Sequence, residues 1–208
     1  MATYPATFDI AYPQKMDRVQ IAIRIGILIV LAILGGAISW IWGGMYIIIP
    51  VVAAIMISQR GAEKYLAEAD ENMTKWLRLL MAFHAYLGLL TDRLPNEDPR
   101  ETLTFEVRPT GTPSAGQTLL RIILAIPHYI VIALLDIVAI VLVIIAAIMI
   151  LVQESYPEGI FNFLRGLNRW QARVYAYLAG LVEEYPPFAL DTGPETSAMT
   201  QAPPEPTA

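Results

Sequence analysis

The stretch IILAIPHYIVIALLDIVAIVLVIIAAIMILVQ, residues 122–153, runs for 32 residues with His128 and Asp136 as its only His, Asp, Glu, Lys or Arg. Asp136 sits near its midpoint. A carboxylate at the bilayer centre costs at least ~2.5 kcal/mol, so a hairpin with Asp136 at its tip is favoured over a spanning helix that runs through it. Each leg is then about 15 to 18 residues, short for a span. Either Arg121 snorkels and the helix starts near Gln117, or the hairpin is shallow.

Residues 25–59 form a second run, 35 residues without a single Asp, Glu, Lys or Arg. One helix of that length would measure roughly 52 Å at about 1.5 Å per residue, against a hydrocarbon core of roughly 30 Å. It must cross twice. A turn near Trp40 to Gly44 would leave Trp40, Trp42 and Tyr46 as an interfacial aromatic belt and use Gly43-Gly44 to release the backbone; Gly35-Gly36 is the alternative.

The composition agrees with both runs: 56% of residues are hydrophobic and 16% charged, too apolar for an ordinary soluble domain, whose charged fraction is about 25%. The net charge of -5 resides in loops and tail and indicates no nucleic-acid partner. With 0 cysteines, disulfides, thiolate metal sites and nucleophilic thiols are excluded. All 14 Lys and Arg fall outside the two runs, which places them on one side of the membrane. The positive-inside rule makes that side cytoplasmic, with both termini inside and a multi-pass chain in the cell (inner) membrane.

A second kind of helix follows each run. Phe163, Leu167, Trp170, Val174, Tyr177 and Leu181 repeat at steps of four and three, while Arg165, Arg169 and Arg173 recur on another face. Trp76, Leu80, Phe83, Leu87 and Leu90 copy that stripe earlier, with Lys75 and Arg78 off it. Both read as cytoplasm-facing amphipathic helices, the second lying on the surface and the first, whose apolar arc Leu77, Met81 and Leu89 widen, more deeply buried. Short alternating segments, residues 8–12 and 103–107, read as strands able to pair with each other.

These elements occur twice. Phe8-Asp9-Ile10 matches Phe105-Glu106-Val107, and the ending Ala85-Tyr86-Leu87-Gly88-Leu89-Leu90 matches Ala176-Tyr177-Leu178-Ala179-Gly180-Leu181. A period of about 90 residues is too long for a solenoid unit and indicates duplication of a small membrane module. The first repeat is residues 1–95 (hairpin about 21–59, amphipathic helix about 63–90), the linker 96–102, and the second repeat 103–190 (hairpin about 118–153, amphipathic helix about 159–183). A disordered tail, 191–208, completes an all-α membrane protein with four transmembrane helices.

Ile126-Pro127-His128, Tyr156-Pro157 followed by Gly159-Ile160-Phe161-Asn162-Phe163, Arg169-Trp170 and Glu184-Tyr185-Pro186-Pro187-Phe188 resemble the bacterial membrane family catalogued as domain of unknown function forty-three eighty-nine. The resemblance is most specific over residues 103–190 and looser in the first half. It implies an integral membrane protein with repeated hairpins and brings no reaction with it.

Arg165, Arg169, Arg173, Lys75 and Arg78 are the candidate contacts for lipid headgroups or an acidic partner. His128 and Asp136 are read as structural, a hydrogen-bonder beside Pro127 and a helix cap at the hairpin tip. In the alternative reading they line a polar pathway. No catalytic signature, metal site or cofactor motif emerges. The expected role is a non-enzymatic accessory or scaffold subunit that contacts membrane lipids and other membrane subunits or itself; the alternative is a small transporter or channel acting as a homo-oligomer.

Overall fold

A computed structural model of the protein describes residues 4–35, 38–94 and 99–193, with 28–35 and 38–42 described as backbone alone. It is mostly helical, with one two-stranded sheet. Strands β1 (Ala6–Ile10) and β2 (Leu103–Val107) pair with each other as their alternation predicted, β1 starting two residues earlier than the 8–12 segment, and they run antiparallel with Phe8 opposite Phe105 at the centre. Ala6, Phe8, Ile10, Leu103 and Phe105 all point inward. A two-stranded ribbon is marginal alone. Its stability here comes from the helices laid against that inner face.

Those helices are, in order, α1 (Arg18–Gly35), α2 (Ile38–Arg60), α3 (Ala62–Ala67), α4 (Lys75–Leu87), α5 (Ala115–Leu124), α6 (Ile126–Gln153) and α7 (Glu158–Leu178). A five-residue π turn, Asp70–Thr74, leads into α4. α7 occupies the middle of the molecule. It contacts β1 on one side and α2, α4, α5 and α6 on others.

The first apolar run divides into α1 and α2, but not at Gly43-Gly44, because α2 continues through both glycines. A Cβ on Gly43 would lie 3.4 Å from the Tyr129 hydroxyl, so this glycine serves close helix approach and not a turn. α1 ends at Gly35 and α2 begins at Ile38; residues 36 and 37, and with them the alternative turn at Gly35-Gly36, lie outside the described residues, as do the side chains of Trp40 and Trp42. Tyr46 is no interfacial anchor. Its ring packs inside against Tyr129 and Tyr175, at centroid distances of 5.0 and 5.5 Å.

The second run forms no hairpin. Ser114 and Gln117 close a capping box at the start of α5, a single non-helical residue, Ala125, follows Leu124, and α6 then runs unbroken for 28 residues, about 42 Å. Asp136 lies mid-helix and caps nothing. Nothing near it breaks a helix, for the run's one proline, Pro127, occupies the first turn of α6, where its missing N–H is no loss. Two helices among the described residues are therefore long and apolar enough to cross a membrane, the Gly43–Arg60 part of α2 and the whole of α6, against the four expected.

The second amphipathic helix is also not where its pattern placed it, whereas α4 keeps Lys75, Trp76 and Leu79 exposed and buries Leu77 and Met81. From Leu164 to Leu178 every residue of α7 is buried. Residues 191–193 of the expected tail are described and lie against α7; residues 194–208, and 96–98 of the linker, lie outside the described residues.

Candidate functional site

The arginines of α7 are held by the protein's own backbone. Arg169, 2% exposed, donates from Nε to the Phe8 carbonyl at 2.8 Å, from Nη1 to the carbonyls of Asp191 and Gly193 at 2.6 and 2.7 Å, and from Nη2 to Asp9 at 3.1 Å. Arg165 donates to Asn162 and to the Thr192 carbonyl, and Arg173 to the Asp191 carboxylate at 2.6 Å. Gly166 lets this segment settle: a Cβ there would stand 3.0 Å from the Asp191 carbonyl oxygen. The three arginines expected to face lipid thus fasten β1 and residues 191–193 to the central helix. A guanidinium carries five donors in a fixed fork, which suits a site crowded with carbonyls.

Arg78, expected beside Lys75 on a lipid-facing surface, is buried as well. Its Nε and Nη2 both reach the Phe105 carbonyl at 3.1 Å, and Nη2 pairs with Asp70 at 2.9 Å. Lys75 is exposed. Arg78 therefore does to β2 what Arg169 does to β1.

Three more features recur in both halves, the first again crossed between them and the other two repeated within each half. Tyr65, after α2, donates its hydroxyl to the Ala179 carbonyl at 2.6 Å, and Tyr156, after α6, donates to the Gly88 carbonyl at 3.3 Å. Burial pushes both phenols above their usual range, so both remain protonated donors. Arg24 lies 4.5 Å over the Tyr86 ring and bonds the Thr91 carbonyl; Arg121 lies 4.5 Å over the Tyr177 ring and bonds the Val182 carbonyl at 2.7 Å. Arg121 does not snorkel. Finally α4 and α7 end alike, with Leu90 N–H returning to Ala85 O and Leu181 N–H to Ala176 O across a residue of positive φ, Leu89 at 63° and Gly180 at 70°.

His84 and Tyr175, which hold corresponding places on α4 and α7, meet with ring centroids 6.0 Å apart. The His84 Nδ1 lies 3.2 Å from the Leu80 carbonyl. Burial holds the imidazole near a pKa of about 4, hence neutral at physiological pH. His84 is thus an internal contact between the halves.

His128 collects the motifs of the second half. The Trp170 Nε1–H donates to its Nδ1 at 3.1 Å, Phe188 stacks on its ring at 4.0 Å and 14°, and Tyr185 lies at 4.8 Å while donating its hydroxyl to the Leu124 carbonyl. The Ile-Pro-His turn, Arg169-Trp170 and the Tyr-Pro-Pro-Phe ending therefore form one cluster, in which the ending folds back on the start of α6. Asp136 accepts from the Gln171 side chain at 3.2 Å. His128 and Asp136 both face α7, eight residues apart on α6. Arg24, Arg121, Tyr65 and Tyr156 were not singled out from sequence as functional contacts. Their signal was present in the duplication, which sets Arg24 against Arg121 at the mouths of the two apolar runs and Tyr65 against Tyr156 beyond them.

The class defined by this arrangement is a mostly helical protein whose ion-paired body is built from two reciprocally stapled halves and which carries two helices long and apolar enough to cross a membrane. Residues 116–189, which include the aromatic cluster around His128, match the family described as Domain of unknown function (DUF4389). No curated protein and no solved structure matches the chain.

Proposed function

We propose that the protein is a non-enzymatic scaffold or accessory subunit of a larger assembly in the cell membrane, with both termini on the cytoplasmic side. One observation carries the reading: the polar side chains singled out as candidate sites, Lys75 excepted, are consumed in internal bonds, while the exposed faces of α2, α5 and α6 are apolar, with Ile47, Leu120, Ile123, Ile137 and Val152 more than half exposed. A carrier generally gathers polar ligands at an opening between broken helices; here Asp136 and His128 are turned to Gln171 and Trp170. Lys75, exposed, remains available for anionic headgroups.

Gentle solubilisation from native membranes followed by native mass spectrometry tests the proposal. A stoichiometric complex with an unrelated membrane subunit is the expected result. A lone monomer or a homo-oligomer would count against it, and the transport reading would then be tested as a flux in reconstituted vesicles that falls on Asp136→Asn.

A further inference from the structure

The buried residues of α6, namely His128, Ile132, Ala139, Ala146 and Ile150, form one seam along its whole length. The outward positions are apolar throughout, with Leu134 60%, Ile140 62% and Val152 67% exposed. α6 therefore rests lengthwise on the body and does not project from it. His128 and Asp136 stand about 12 Å apart along α6, yet they bond the neighbouring residues Trp170 and Gln171, so α6 crosses over α7.

The seam rests on α1 and α7, and α7 is too polar for hydrocarbon. Packed helices lie about 8–10 Å apart. One such layer below α6, α7 carries Arg165, Arg169 and Arg173, whose partners Asp9 and Asp191 keep 27% and 51% of their side-chain surface exposed. If α6 crossed the bilayer, the surface that these carboxylates leave exposed would sit beside it at membrane depth, in hydrocarbon, where pairing inside the protein does not cover it. The ends of the α5–α6 segment also attach to the two halves, Arg121 to the Val182 carbonyl and Tyr156 to the Gly88 carbonyl. At the far end Glu154 joins Lys15 and Arg18, outside any apolar layer.

We propose that α6 lies in the plane of the membrane, its seam on the protein body and its outer face immersed in the acyl chains of a single leaflet. The inference rests on the membrane placement proposed above and not on the scaffold role. Length and apolarity make a helix able to span; the side on which its polar support lies decides whether it does.

The chain's lack of cysteine makes the test direct. Single cysteines at Ile126, Leu134, Val141, Ile148 and Val152, all on the outer face, are spin-labelled in the full-length protein in phosphatidylethanolamine and phosphatidylglycerol vesicles. Depth is read from relative accessibility to oxygen and to a water-soluble nickel chelate. An in-plane helix gives nearly equal depths at all five positions. A depth at Val141 exceeding that at Ile126 and Val152 by about 15–20 Å would show a spanning helix and overturn the proposal. Labels shielded from oxygen and nickel alike would mean that another protein covers the face, and would overturn the lipid assignment. Labels open to nickel at every position would put the face in water and remove the membrane placement itself.

Discussion

Replacing Arg169 by Leu separates an internal staple from a lipid-binding surface. The substitution removes four hydrogen bonds, to the carbonyls of Phe8, Asp191 and Gly193 and to the Asp9 carboxylate. The Phe8 carbonyl is buried at this bond, where water cannot replace the guanidinium, whereas Asp9 is 27% exposed and is rehydrated in part. A buried polar group left without its partner costs about 1–3 kcal/mol, and breaking a buried ion pair about 3–5 kcal/mol. With the two carbonyls at residues 191 and 193 only part-buried, a total near 4 kcal/mol is expected. For a chain of this size that corresponds to a fall of roughly 10 °C in melting temperature. Thermal unfolding in detergent, followed by near-UV circular dichroism, measures it, since Trp170 neighbours the lesion. The same change at Arg78, with its bonds to Phe105 and Asp70, should give a loss of similar size. A loss under about 1 kcal/mol for Arg169→Leu, together with weakened binding to anionic vesicles, would refute the staple and restore the surface reading.

Tyr65→Phe should cost about 1 kcal/mol and Tyr156→Phe less, since their bonds measure 2.6 and 3.3 Å; equal losses would deny that bond length matters here. Gly180→Ala should destabilise by about 1–2 kcal/mol, because φ is 70° and the added Cβ would meet the Thr118 hydroxyl at 3.0 Å; unchanged denaturation would contradict the left-handed turn. For His84 the folded pKa, about 4, lies below the usual 6.5, so the unfolded state binds the proton first and stability falls as pH drops from 6.5 toward 4. The fall attributable to this group is at most about 3 kcal/mol, and His84→Gln should flatten the melting-temperature profile over that window alone.

Local pattern carried much of this fold. Alternation placed both strands, and duplication placed the equivalent helices. Long-range geometry did not show itself. An arginine series at four-residue steps looks the same whether it faces phosphates or the carbonyls of a strand more than a hundred residues away, because backbone acceptors leave no trace in composition. The misreading of residues 122–153 had another cause. Asp136 was charged the full desolvation of a bilayer interior, although one side-chain partner, Gln171, supplies its hydrogen bond inside the protein. The family motifs were legible as residues, but not their meeting around His128, which requires Tyr185 and Phe188 to return some sixty residues to the start of α6.

The crossed stapling has a consequence for how the chain acquires its shape. Arg78 precedes the strand it grips, Arg169 grips the first strand made, and each half's tyrosine waits for the other's carbonyl. Separated between Leu94 and Pro99, each piece would carry an open strand edge, a stranded guanidinium and a phenol without an acceptor. Neither piece is an autonomous folding unit. The N-terminal half must therefore remain incomplete until translation has delivered α7, and the interval during which β1 is exposed is set by the ribosome.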